Sequence, residues 1–76
     1  MEIRKVIADN IRFIRIERKM SQEALAAKAK ISISYLGYIE RAEKAITVVK
    51  LEQLAKALKV KPSQLLEPEA YRQENL

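Results

Sequence analysis

Two serines eleven residues apart, Ser21 and Ser32, constrain this chain more than any other feature. Serine is a favoured N-cap because its hydroxyl accepts a hydrogen bond from a free backbone N–H of the first helical turn. Behind Ser21 the sequence turns from polar to apolar through Gln22, Glu23 and Ala24, with Ala24 where a full capping box would hold Glu. Behind Ser32 a second helix of about 33–41 opens, with Leu36 and Ile39 as its core contacts. Eleven residues leave room for two turns of helix over about 22–29, a turn of about three residues, and a new start. Two short helices joined so tightly form a helix-turn-helix.

That geometry prescribes residue types. Leu25 and Ala29 face the core from the first helix of the pair, and Ala26 must be small where the second helix crosses. Ile31 plugs the turn, while Leu36 and Ile39 anchor the second helix from below. Separately each is ordinary core patterning; together they are a specific signal.

The remaining elements are also helical. Ile3, Ile7, Ile11 and Ile14 recur at spacings of 4, 4 and 3, one face of a helix, with Arg4, Arg12, Arg15 and Arg18 off that stripe. Thr47 caps a helix of about 48–59 whose Leu51, Leu54, Ala55 and Leu58 share a face. Pro62 stands in the first turn of a short last helix over about 63–66, where its missing N–H does no harm. Pro68 ends it. The expected fold is all-α with five helices, a single domain over 1–67 and a short polar tail over 68–76.

Composition closes off many chemistries. The chain has no His and no Cys, so disulfides, the usual structural zinc ligands and histidine-based nucleophilic catalysis are excluded. Its one glycine rules out phosphate loops that need at least two. A carboxylate pair from Glu17 and Glu40 is the remaining candidate for acid–base chemistry, and nothing else supports it. No enzyme, metal or cofactor is expected. Charge is positive: residues 1–50 hold 11 basic and 6 acidic side chains, and residues 51–76 hold 4 of each. An excess confined to the first part fits contact with a polyanion, although a net +5 is also ordinary for solubility. No apolar run approaches a membrane span, and the start lacks the apolar stretch of a signal peptide, so a cytoplasmic protein is expected.

Four segments resemble the Xre family, the lambda-repressor- and Cro-like DNA-binding domains of bacteria and phages. Ile11-Arg12-x-Ile14-Arg15 is similar to that family's IRxLR segment, and Met20-Ser21-Gln22-Glu23-Ala24-Leu25-Ala26 to its LSQEELA. Tyr35-Leu36-Gly37-Tyr38-Ile39-Glu40-Arg41 resembles YLSxIERG, and the stretch from Leu51 to Val60 resembles LxxLAKALGV. Tyr35 with Ile39-Glu40-Arg41 and the loop into Thr47 look most like the controller proteins of restriction–modification systems. Where the family commonly carries glycine, this chain has Lys19, Lys30 and Ala42, each costing about 1–2 kcal/mol if its backbone is left-handed.

The resemblance implies a transcription regulator that binds double-stranded operator DNA as a homodimer without cofactor or small-molecule ligand, with autoregulation as in controller proteins. It puts Ser32, Ile33, Ser34, Gly37 and Tyr38 at base-facing positions of the recognition helix. Gly37 either lets the DNA approach closely or is drift from the family's serine. Gln22 is expected on a phosphate, Tyr35 on a phosphate or over the core, and Arg41, Lys44, Lys50 and Arg12 are further candidate phosphate ligands. Arg15 and Glu40 occupy positions of a structural ion pair. The neutral C-terminal third supplies the expected dimer surface through Leu58, Val60, Leu65 and Leu66. Two other uses of such a fold are an antitoxin that also binds a toxin, and a protein-interaction module that leaves DNA alone.

Overall fold

A computed structural model describes residues 2–68. In chain order the helices are α1 (Ile3–Glu17), α2 (Gln22–Ala29), α3 (Ile33–Glu40), α4 (Val48–Leu58) and α5 (Pro62–Leu65). The described residues include no strand. Of the expected tail over 68–76, all but Pro68 lies outside them.

Helix starts follow local chemistry. Ser21 accepts from the Ala24 N–H at 3.0 Å, Ser32 from the Tyr35 N–H at 3.0 Å and Thr47 from the Lys50 N–H at 3.2 Å. Each bond satisfies one of the donors that a helix N-terminus leaves without an internal partner. Helix α3 stops at Glu40 and α4 at Leu58, so Arg41 and Lys59 are C-caps, not last helical residues.

Helix ends carry the strain. Lys19, Lys30, Ala42 and Lys59 have φ of 57°, 60°, 59° and 61°, all in the left-handed region. The three turn positions where the sequence lacks glycine are thus left-handed, and Lys59 is a fourth. Their geometry lets N–H groups past the cap reach back to late carbonyls of the preceding helix, as Ile31 does to Ala26 at 3.0 Å.

The core is one cluster. Ile7, Ile11 and Ile14 of α1 meet Leu25, Ala26 and Ala29 of α2, Leu36 and Ile39 of α3, Leu51, Leu54, Ala55, Ala57 and Leu58 of α4, and Leu65 of α5. Helix α1 packs on α3, α2 lies against both α3 and α4, and α5 closes one end against α1 and α4. Ile3 continues the isoleucine stripe in sequence but is exposed, because the stripe reaches past the edge of the core.

Two of the four expected dimer residues are corrected here. Leu58 and Leu65 have no exposed surface and belong to the monomer core, since α5 folds back over α4 and covers them. Val60 is half-buried against the same core, and Leu66 stays exposed.

Two buried or half-buried amides, unforeseen in the sequence, tie the ends of the fold together. Asn10 is 2% exposed, and its Nδ2 donates to the carbonyls of Leu65 at 2.9 Å and Glu67 at 2.8 Å. It thereby holds the C-terminal end of α5 against α1. Gln53 Nε2 donates to the Ala29 carbonyl at 3.0 Å, closing the C-terminus of α2 from α4.

Candidate nucleic-acid interface

Helix α3 buries Leu36 and Ile39 and turns its opposite face outward, with Ile33, Ser34 and Tyr38 exposed. The helical period produces that division, because residues three and four apart share a face. Ile33, a large apolar residue at 45% exposure, stands outside the core cluster.

The placement of α3 depends on one polar cluster. Arg15 of α1 donates to Glu40 through Nε at 2.7 Å and Nη2 at 3.1 Å, and its Nη1 donates to the Met20 carbonyl at 2.9 Å. Gln22 Nε2 adds a bond to Glu40 Oε1 at 3.0 Å. Glu40 is buried and, when ionised, only accepts, so the Gln22 amide must present its nitrogen to it. This cluster locks α1, the turn before α2, the first residue of α2 and the last of α3 to each other. Gln22 therefore has a structural bond of its own, with its second Nε2 hydrogen left to point elsewhere.

Around the outward face lies an open cleft of about 310 Å³ lined by Gln22, Ile33, Ser34, Gly37, Tyr38 and Arg41. It gathers four of the five expected base-facing residues, together with Gln22 and Arg41. Ser32 is not part of the lining; its hydroxyl caps the helix. A second cleft of about 380 Å³ runs between α2 and α4, with Lys28, Lys30 and Lys56 beside Ala29, Ala57 and Gln53, and includes no residue of α3.

Gly37 differs from the sequence expectation. It is buried, and what covers it is Arg41: a Cβ built on Gly37 would lie 3.0 Å from Arg41 Nη1. The Arg41 guanidinium also sits over the Tyr38 ring, 5.2 Å from its centroid, and Nε donates to Glu43 Oε1 at 3.0 Å. Lys44 Nζ lies 4.2 Å from the same ring centroid, so two cations share one aromatic ring.

The other expected phosphate ligands are dispersed. Tyr35 is half-buried against the core, and its hydroxyl accepts a long 3.5 Å bond from the Thr47 N–H, bridging α3 to the cap of α4. Lys50 is half-buried in the first turn of α4. Arg12 stays on the surface of α1, paired with Asp9 and donating to the Ala8 carbonyl at 3.5 Å, and does not reach the cleft. Glu17 lies 3.8 Å from Arg18, while Glu40 is bound by Arg15 and Gln22.

Known proteins share this fold. The pattern of the HTH_3 helix-turn-helix family matches residues 11–65. Control protein C.SmaI of Serratia marcescens is 35% identical over 74 residues, covering 97% of this chain and 88% of that protein. The crystal structure of a hypothetical transcription factor from Neisseria superposes with a TM-score of 0.87 at 34% identity, over 97% of this chain and 85% of that one. The restriction-modification controller protein C.AhdI from Aeromonas hydrophila superposes with a TM-score of 0.79 at 31% identity, over 82% of this chain and 94% of its own. This chain therefore belongs to the helix-turn-helix family HTH_3, a family of DNA-binding transcription regulators.

Proposed function

We propose that the protein is a sequence-specific regulator of the controller type, which binds a two-fold or pseudo-two-fold operator as a homodimer with α3 in the major groove. The observation that carries this reading is the outward face of α3. Ile33, Ser34 and Tyr38 are exposed there outside the core cluster, while Arg15 and Gln22 hold the helix from behind through Glu40. Ser34 is suited to a base edge through its hydroxyl, and Ile33 to a thymine methyl. Ser32 enters the groove with the N-terminus of the helix.

Backbone phosphates are assigned to Lys44, Lys50, the Tyr35 hydroxyl and the second amide hydrogen of Gln22. One such domain buries little DNA surface, so tight binding calls for two copies on half-sites about one helical turn apart. Val60 and Leu66, at the end of the domain near α5, are the residues left to join them. Autoregulation follows if the operator lies upstream of the protein's own coding region.

Selection of bound sites from random duplexes tests the reading. Enrichment of a palindromic sequence with half-sites one turn apart is the expected outcome. No enrichment, with a Kd that stays flat as salt rises, would point to a protein-interaction module of the same fold.

A further inference from the structure

We propose that Arg41 reads a guanine edge in the major groove, and that Gly37 is the residue that lets it. The inference rests on the operator-binding reading of α3 above. Sequence spacing alone makes Arg41 one more phosphate ligand just past the recognition helix; three observations give it a different task.

Ile33 and Gly37 stand one turn apart on α3, and Arg41, the cap just past its end, follows at i+8 on the same row. Arg41 thus shares the surface of the base-facing residues and lines the same cleft. Along that line its guanidinium lies against the helix where Gly37 has no side chain. A Cβ there would come to 3.0 Å from Nη1 and 3.7 Å from Cζ, so a side chain at 37 makes the guanidinium shift by a few tenths of an ångström from this seat.

Tyr38 then supports the guanidinium from the side, with Cζ 5.2 Å from the ring centroid. Stacking of a planar cation on an aromatic ring limits the ways the fork can turn.

The third observation decides between base and phosphate. Arg41 Nε is already bonded to the Glu43 carboxylate at 3.0 Å, which leaves the two Nη groups for a ligand. A phosphate brought to that guanidinium would face the Glu43 charge and be repelled. The guanine edge presents two neutral acceptors, O6 and N7, at a spacing that suits an arginine fork. Glu43 therefore disfavours the anion and orients the fork toward the base.

The test is site selection from random duplexes with the full chain and the variants Arg41→Lys, Gly37→Ala and Glu43→Gln. The unaltered protein should enrich one invariant guanine per half-site. Arg41→Lys keeps the charge but loses the fork, so preference for that guanine should fall about tenfold while other positions hold. Gly37→Ala should relax the same position while its thermal midpoint stays at or above that of the parent, since alanine favours helix. Glu43→Gln should raise binding to all duplexes and weaken that one preference. A uniform loss of affinity in Arg41→Lys, with the base preference intact, would overturn the assignment in favour of a phosphate contact. A parent protein that enriches no sequence at all would instead remove the operator reading itself.

Discussion

Arg15 and Glu40 meet at 2.7 and 3.1 Å across 25 residues of sequence, in a two-bond contact whose carboxylate is almost wholly enclosed. The pair joins the first helix to the last residue of α3. Removing one member of such a pair strands the other, which is far worse than never having had the pair.

Arg15→Ala should therefore destabilise the fold by about 3–5 kcal/mol, because Glu40 is left buried without its cation and with the Gln22 amide beside it. Glu40→Gln should cost less, since an amide is cheaper to bury than a charge. Urea denaturation followed by circular dichroism reads both. Equal losses for the two variants would mean that the charge on Glu40 is not what the pair satisfies.

Gln22→Ala should lower stability by about 1–2 kcal/mol, because it removes a bond to a buried carboxylate. Lys44→Ala, which removes only a cation lying over Tyr38, should leave stability within about 0.5 kcal/mol of the parent. On DNA, Lys44→Ala should weaken binding to every sequence alike and reduce the salt slope by about one unit. Titrations at several salt concentrations separate the two variants.

Asn10→Ala should take from the carbonyls of Leu65 and Glu67 the side-chain donor they share and cost about 1–3 kcal/mol. Asn10→Asp should be worse, as a carboxylate would then face carbonyl oxygens at under 3 Å. Amide hydrogen exchange should show the loss first in α5, and uniform loss across all helices would contradict a local clasp.

Ala42→Gly should stabilise the protein by about 0.5–1 kcal/mol. Relief of the left-handed strain at φ 59° exceeds the extra entropy that glycine loses on folding. Ala42 is the cleanest of the four left-handed sites, because the substitution removes no charge. A rise in thermal midpoint is the readout, and a fall would place the strain elsewhere in the loop before α4.

Much of this molecule is legible in the chain. Ser21, Ser32 and Thr47 announce three helix starts, and each hydroxyl accepts the N–H three residues on. The left-handed turns at Lys19, Lys30 and Ala42 could be placed from glycines missing at a turn, and Lys59 likewise stands where the LxxLAKALGV segment has its glycine. Asn10 and Gln53 were invisible. Their partners lie 55 and 24 residues away, and no pattern of spacing along a single helix encodes that distance.

The sequence by itself determined which segments are helical, where α2, α3 and α4 begin, the apolar stripe of α1 and α4, and that two helices form a helix-turn-helix. Those properties depend on caps and on three- and four-residue spacing, which act within a turn or two. Only the tertiary structure decided that Leu58 and Leu65 are spent inside the monomer, and that Gln22 braces Glu40. It also decided that the Arg41 guanidinium lies against the bare backbone of Gly37. An apolar or flexible side chain can satisfy its local pattern in several ways, and which neighbour it meets is settled when distant helices pack together.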